Sequence, residues 1–317
     1  MQPAQKLKSL LTENISRVIV GKEEVIELVL NAILCGGHVL IEDVPGVGKT
    51  TLASAFAKSL ALSYKRIQFT PDVTPSDVTG YTYIDFKTNR MEYREGAVFA
   101  QIVLADEINR TSPKTQSSLL EVMEEGQVTL DGETHVLPKP FVVLATQNPV
   151  DFVGTYPLPE AQLDRFFMRV SIGYPTEAQE AEILNMYMTG TKPLNELQPV
   201  CAKEDILRLQ QMVGEVRVAK EMRAYIASIA QASRSYRAFT RGISTRGAIS
   251  LMRSAQACAL LDGRDYVMPE DIRKMLVPVI AHRVVLSAEA RIGAKGITAE
   301  KALTRLVSGI QIPVRIK

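Results

Sequence analysis

The sequence predicts an α/β domain built on a parallel sheet, about residues 1 to 190, followed by a smaller all-helical domain, about 191 to 317. Three observations predict it. An apolar run, Val39-Leu40-Ile41, ends in a glycine-bearing turn, and an Ala/Leu-rich helical segment from Leu52 to Leu62 follows directly. Two further apolar runs end in polar pairs: Ile102 to Ala105 in Asp106-Glu107, and Phe141 to Thr146 in Gln147-Asn148. Buried strands that alternate with helical patterns and deliver polar residues to one edge indicate a parallel sheet. From Lys203 onward the apolar spacing is helical nearly throughout, with helices expected at about 203–214, 219–238, 245–261, 270–285 and 298–308.

Composition narrows the class. The chain has 317 residues, 46% apolar and 23% charged, as in an ordinary globular protein. No apolar run approaches the ~20 residues needed to cross a bilayer, and Met1 to Leu10 lack the apolar core of a signal peptide. A cytoplasmic protein is expected. Cys35, Cys201 and Cys258 are far apart and read as buried reduced thiols, and His38, His135 and His282 have no zinc spacing. Charge is uneven: residues 1–200 carry 17 basic and 25 acidic side chains, residues 201–317 carry 20 and 10. Either the second half faces an acidic partner or nucleic acid, or the two halves attract each other within or between subunits. The second reading is favoured, because the basic residues are spread singly with few aromatics between them.

In chain order, residues 5–34 read as two helices broken near Val18-Ile19-Val20-Gly21-Lys22. The break is either a helix start or a place where a nucleotide base lies against backbone. The turn Asp43-Val44-Pro45-Gly46-Val47-Gly48 leads into Lys49-Thr50-Thr51. Gly46 and Gly48 let backbone approach an anion, and the helix start turns N–H groups and the positive dipole end toward it. Lys49 would reach the β- and γ-phosphates and Thr50 would ligate Mg²⁺. In the usual pattern G-x-x-x-x-G-K-[ST] the first glycine is here Asp43, which bears on the loop's first turn and leaves the phosphate cradle intact.

Tyr64 to Phe69 reads as a strand, and a short helix starts near Pro75. Residues 81–94 then read as a β-hairpin outside the core sheet. Asp106 and Glu107 at a buried strand end are costly unless a cation meets them; in a nucleotide site Asp106 would hold Mg²⁺ through its water shell and Glu107 would orient or deprotonate the attacking water. Ser112-Pro113 and Gly126 bound the next helix. A second hairpin, 127–137, turns on Asp131-Gly132. Asn148 either bonds the γ-phosphate or lytic water, or is a turn residue. Arg165 either pairs with Asp164 or Glu160, or offers its guanidinium to a neighbour's γ-phosphate. Thr176 to Gln179 opens a helix with a capping box, and residues 189–200 connect the domains. Arg246, in the first turn of its helix, is badly placed for the dipole and calls for an anionic partner.

In order and spacing, these motifs resemble the AAA+ ATPases over nearly the whole chain. The segments Ile41 to Thr50, Ala145-Thr146-Gln147-Asn148-Pro149 and Gly154 to Phe166 resemble the MoxR family in particular. The resemblance implies a P-loop AAA+ domain with a helical lid, binding ATP and Mg²⁺ and hydrolysing ATP. It makes Pro45 to Thr51 the first Walker motif, Asp106 and Glu107 the second, and Asn148 the first sensor. Arg165 becomes a finger acting on an adjacent subunit, Arg246 the second sensor on the lid, and Val20-Gly21-Lys22 the segment near adenine. It further implies a hexameric ring whose two hairpins face a central pore, a chaperone-like action on protein clients or metal-cofactor assembly, and a partner carrying a von Willebrand factor A domain. ATP is expected between the domains, with Lys49 and Arg246 both neutralising phosphate. Two other readings stay open. A nucleic-acid motor would use Lys87 and Arg90 on one hairpin tip, against which stands Asp131-Gly132-Glu133 on the other; a nucleotide-binding scaffold without turnover is opposed by the presence of Glu107.

Overall fold

The computed structural model describes residues 3–148, 154–188, 193–292 and 296–313. Pro149 and residues 189–192 of the expected connection lie outside them. Among the described residues up to 188 there are nine strands: β1 Val39–Glu42, β2 Tyr64–Gln68, β3 Gly80–Asp85, β4 Arg90–Glu95, β5 Ile102–Asp106, β6 Gln127–Leu130, β7 Glu133–Val136, β8 Val142–Gln147 and β9 Met168–Val170. Five of them form a parallel sheet in the order β2-β5-β8-β1-β9.

Both faces of the sheet are covered, which is why its central strands are apolar without alternation. Val39 and Ile41 point into one hydrophobic cluster and Leu40 into another. The first cluster continues from the helices Pro3–Ser16 and Glu23–Leu34 into the C-terminal helices, so one core spans residues on both sides of position 190. Polar contacts pin the junction: the buried Asn31 donates to Ser254 O at 2.9 Å and accepts from Ser254 Oγ at 2.8 Å. The second cluster lies under the helix Pro113–Glu125.

The hairpins β3–β4 and β6–β7 stand outside the sheet as separate ribbons. Asp131 and Gly132 have φ of +51° and +84°, as the two-residue turn of the second requires. Tyr93 of β4 stacks on His135 of β7 with 3.8 Å between ring centroids, so the ribbons touch each other.

The C-terminal part is not wholly helical. A strand β10, Phe239–Arg241, pairs antiparallel with β11, Val285–Leu286. The helix expected over 219–238 therefore stops at Arg234 and that expected over 270–285 stops at Ile280. At the first, the chain folds back on the helix end so closely that a Cβ on Gly242 would lie 2.6 Å from the Ser233 carbonyl carbon. At the second, Arg283 turns back and donates through Nε to Val279 O at 2.8 Å, capping a terminal carbonyl.

Candidate active site

The carboxyl edge of the sheet gathers Lys49, Asp106, Glu107 and Asn148. Pro45 to Gly48 form the turn after β1, and Lys49, Thr50 and Thr51 open the helix Lys49–Ser59. Gly46 and Gly48 have φ of +85° and +90°, and a Cβ at Gly46 would meet nothing within 4 Å. Glycine is needed there for backbone conformation, and the space beside it stays open to a phosphate. Lys49 Nζ donates to Asp43 O at 2.8 Å across the turn. Burial lowers the pKa of the Lys49 ammonium, against the opposing charges of Asp43, Asp106 and Glu107.

Asp43 has a role that the loop pattern does not announce. Its Oδ2 accepts from Ser171 Oγ at 3.0 Å, Ile172 N at 2.6 Å and Gly173 N at 2.7 Å, tying the phosphate loop to the chain after β9. That chain leads to the Val20-Gly21-Lys22 segment. Lys22 Nζ donates to Tyr174 O at 3.0 Å, and Gln179 donates to Gly21 O at 3.3 Å. Ile19 approaches the loop itself, its Cδ1 lying 3.6 Å from where a Cβ on Gly48 would be. The 19–22 segment is thus placed beside the phosphate loop.

The two carboxylates are met by the protein's own groups. Arg66 pairs with Asp106 Oδ2 at 2.6 Å, and Thr146 Oγ1 donates to Asp106 Oδ1 at 2.6 Å. Glu107 sits at φ +57°, a strained position for a glutamate. Its N–H donates to Thr146 Oγ1 at 2.8 Å, while Gln68 and Arg110 both donate to its Oε2 at 3.0 Å. Asn148 follows β8, buried, and Asn109 Nδ2 donates to its carbonyl at 3.3 Å. Aspartate, glutamate and threonine oxygens form a donor set that suits Mg²⁺.

The arginines lie elsewhere. Arg165 precedes β9, and Phe167 N donates to His38 O at 2.8 Å, so this segment borders the amino edge of the sheet. From His38 to Asp43 along β1 is roughly 16 Å. Arg246 is brought to Arg165, not to Lys49: both ion-pair with Glu124, Arg165 Nη2 to Oε2 at 3.4 Å and Arg246 Nη2 to Oε1. This corrects the expectation that Lys49 and Arg246 of one chain neutralise the same phosphates between its domains. Of the two readings of Arg165, an ion pair to Asp164 or Glu160 is not formed, because Arg283 holds Asp164 at 2.6 Å and Arg241 holds Glu160 at 3.6 Å.

Sequence reading missed Asp43's anchor, Arg66, Glu124 and Arg283. Arg283 is 4% exposed and donates to Asp164 O, Phe166 O and Phe167 O, setting the backbone on either side of Arg165. One signal was available for it: a charged residue inside the apolar run Val277 to Leu286 must be buried with partners. The thiols are free, with Cys258 buried and Cys35 and Cys201 half-buried. Burial pushes Cys201 and Cys258 up to about 12 and Cys35 higher, so none is a poised nucleophile.

Comparison with known proteins agrees with this geometry. Residues 38–168 match the model of the ATPase family associated with various cellular activities (AAA), and residues 231–305 match the AAA lid domain. The chaperone MoxR1 of Mycobacterium tuberculosis is 38% identical over 94% of this chain and 80% of its own length. Protein MoxR of Paracoccus denitrificans is 31% identical over 85% and 86%. The uncharacterized protein YeaC of Bacillus subtilis is 51% identical over 96% and 94%. A crystal structure of a candidate ATPase from Cytophaga hutchinsonii has a TM-score of 0.88 at 37% identity, covering 98% of this chain and 96% of the other.

Proposed function

The chain belongs to the MoxR-type AAA+ ATPases, and from that premise we propose that it hydrolyses ATP at sites shared between copies of itself. The observation that carries this reading is the separation of the site's two halves: Lys49 lies at the carboxyl edge of the sheet, and Arg165 and Arg246 lie together on Glu124 beyond the amino edge. A chain with this arrangement offers its arginines to a neighbour's nucleotide.

In the proposed reaction, water attacks the γ-phosphorus, the bond to the β,γ-bridging oxygen breaks, and ADP and inorganic phosphate leave. Glu107 accepts the proton of the attacking water, with Asn148 placed to orient it. Lys49 and the N–H groups from Gly46 to Thr51 hold the β- and γ-phosphates. Thr50 and, through its water shell, Asp106 would hold Mg²⁺, which supplies charge neutralisation. Arg165 and Arg246 of the adjacent subunit meet the charge that develops in the transition state; a finger of this kind contributes about 10³ to 10⁵ in rate in related enzymes. The Val20 to Lys22 segment would receive the adenine.

The work done with the energy is proposed to be remodelling of protein clients. The tip of the β3–β4 hairpin supports a polypeptide over a nucleic acid as its target: Phe86 in the turn is 94% exposed beside the exposed Ile84 and Met91, an apolar group that outweighs the two basic residues there, Lys87 in the same turn and Arg90 at the start of β4. A hexameric ring and a von Willebrand factor A partner belong to the same proposal on the strength of the family resemblance. Phosphate release measured against protein concentration tests the reading. Specific activity should rise steeply as copies associate, and Lys49→Ala should abolish it. Equal specific activity at all concentrations, with sizing showing a monomer throughout, would overturn it.

A further inference from the structure

We infer that Glu124 is a positioning residue whose carboxylate bridges Arg165 and Arg246, fixing the two guanidiniums as a pair presented to the neighbouring nucleotide. This rests on the shared-site reading above. Each oxygen of Glu124 takes one guanidinium, Oε2 from Arg165 and Oε1 from Arg246, although the two arginines come from segments 81 residues apart. The buried Arg283 lines the same cavity, so three cations converge there with Glu124 and Asp164 as the lining carboxylates. Asp164 is committed to Arg283. Glu124 therefore offsets the repulsion between Arg165 and Arg246 and sets their spacing.

The location of Glu124 is otherwise unfavourable. It lies in the last turn of the helix Pro113–Glu125, where the helix dipole repels a carboxylate. The position is held firmly all the same. Val143 N donates to His38 Nδ1 at 3.0 Å, which leaves His38 Nε2 to donate to Met123 O at 2.9 Å, so the residue before Glu124 is bound to the start of β1. The bond from Arg246, with the charges of Arg246 and Arg165, keeps the Glu124 carboxyl below its ordinary pKa and hence ionised.

Glu124→Gln keeps the shape of the side chain but turns one acceptor into a donor, so it can hold only one of the two guanidiniums. We expect turnover to fall by ~10- to 100-fold, the scale of a misplacement of about 1 Å, while binding of a fluorescent ATP analogue stays at the wild-type level. The discriminating experiment mixes subunits. Glu124→Gln mixed with Glu107→Gln should regain activity, because one supplies the intact Glu107 and the other the intact arginine pair; mixed with Arg165→Ala it should not. Rescue also shows that Glu124→Gln folds. Wild-type turnover by Glu124→Gln overturns the proposal. So does failure of the Glu107→Gln mixture when Arg165→Ala with Glu107→Gln is rescued, since Glu124 then serves its own subunit alone. If that control pair also fails in mixtures shown by native mass spectrometry to contain both variants in one assembly, the shared-site reading falls and the proposal with it.

Discussion

Asp43 stands where the usual phosphate loop has glycine, and its carboxylate replaces turn freedom with an anchor. Ile172 and Gly173 both direct their N–H groups at Oδ2. In Asp43→Ala those donors lose their acceptor, at a cost of about 1–3 kcal/mol, and the chain leading to the 19–22 segment is released from the phosphate loop. Urea unfolding should show the loss, together with weaker nucleotide binding; an unchanged midpoint and unchanged binding would contradict the anchor. Two histidines make stability depend on pH. Burial lowers His38 to about 4 and His282 to about 3, both below the ordinary 6.5. The unfolded chain therefore takes up protons first on acidification. The contribution is complete above about 6.5 and is lost as pH falls through the window down to 4 for His38 and 3 for His282, at up to about 1.4 kcal/mol per pH unit for each. Unfolding midpoints between pH 7 and 4 should fall accordingly, and a flat profile would show that neither imidazole is held neutral by burial.

The segment from Glu160 to Phe167 shows what an element-level reading could and could not supply. Its order along the chain made Arg165 a candidate, and the apolar runs before Asp106 and Asn148 were enough to place those residues at one sheet edge. The hairpins were equally legible, because Asp131-Gly132 encodes its own turn. The partners were not. Glu124, Arg165 and Arg246 come from three elements whose proximity is set by tertiary packing, and nothing in local periodicity records it. Strands β10 and β11, of three and two residues, are too short to display an alternation. Arg283 is the clearest expression of that long-range order, since it joins the helical domain to the 164–167 backbone. Arg283→Met should destabilise by about 3 kcal/mol or more, by leaving the Asp164 carboxylate without its cation and the carbonyls of Asp164, Phe167 and Val279 without this donor. Thermal or urea unfolding measures it, and a loss under 1 kcal/mol would mean that packing alone positions the segment.

At the scale of the whole molecule, one sheet separates the two halves of the proposed site. The groups proposed to hold the nucleotide occupy the carboxyl edge, and the arginine pair lies beyond the amino edge, with β1 between them. The uneven charge, −8 over residues 1–200 and +10 over residues 201–317, is consistent with head-to-tail contact between copies. Such an interface closes into a ring if its rotation closes, and every site then needs two chains. The most direct test is ATP turnover by Glu107→Gln and Arg165→Ala, each alone and then mixed, beside the wild type. Each variant should be nearly inactive alone, and the mixture should recover a substantial part of the wild-type rate, because an intact Glu107 in one subunit meets an intact Arg165 from another. An active wild type whose variants co-assemble without any recovery would contradict the shared site.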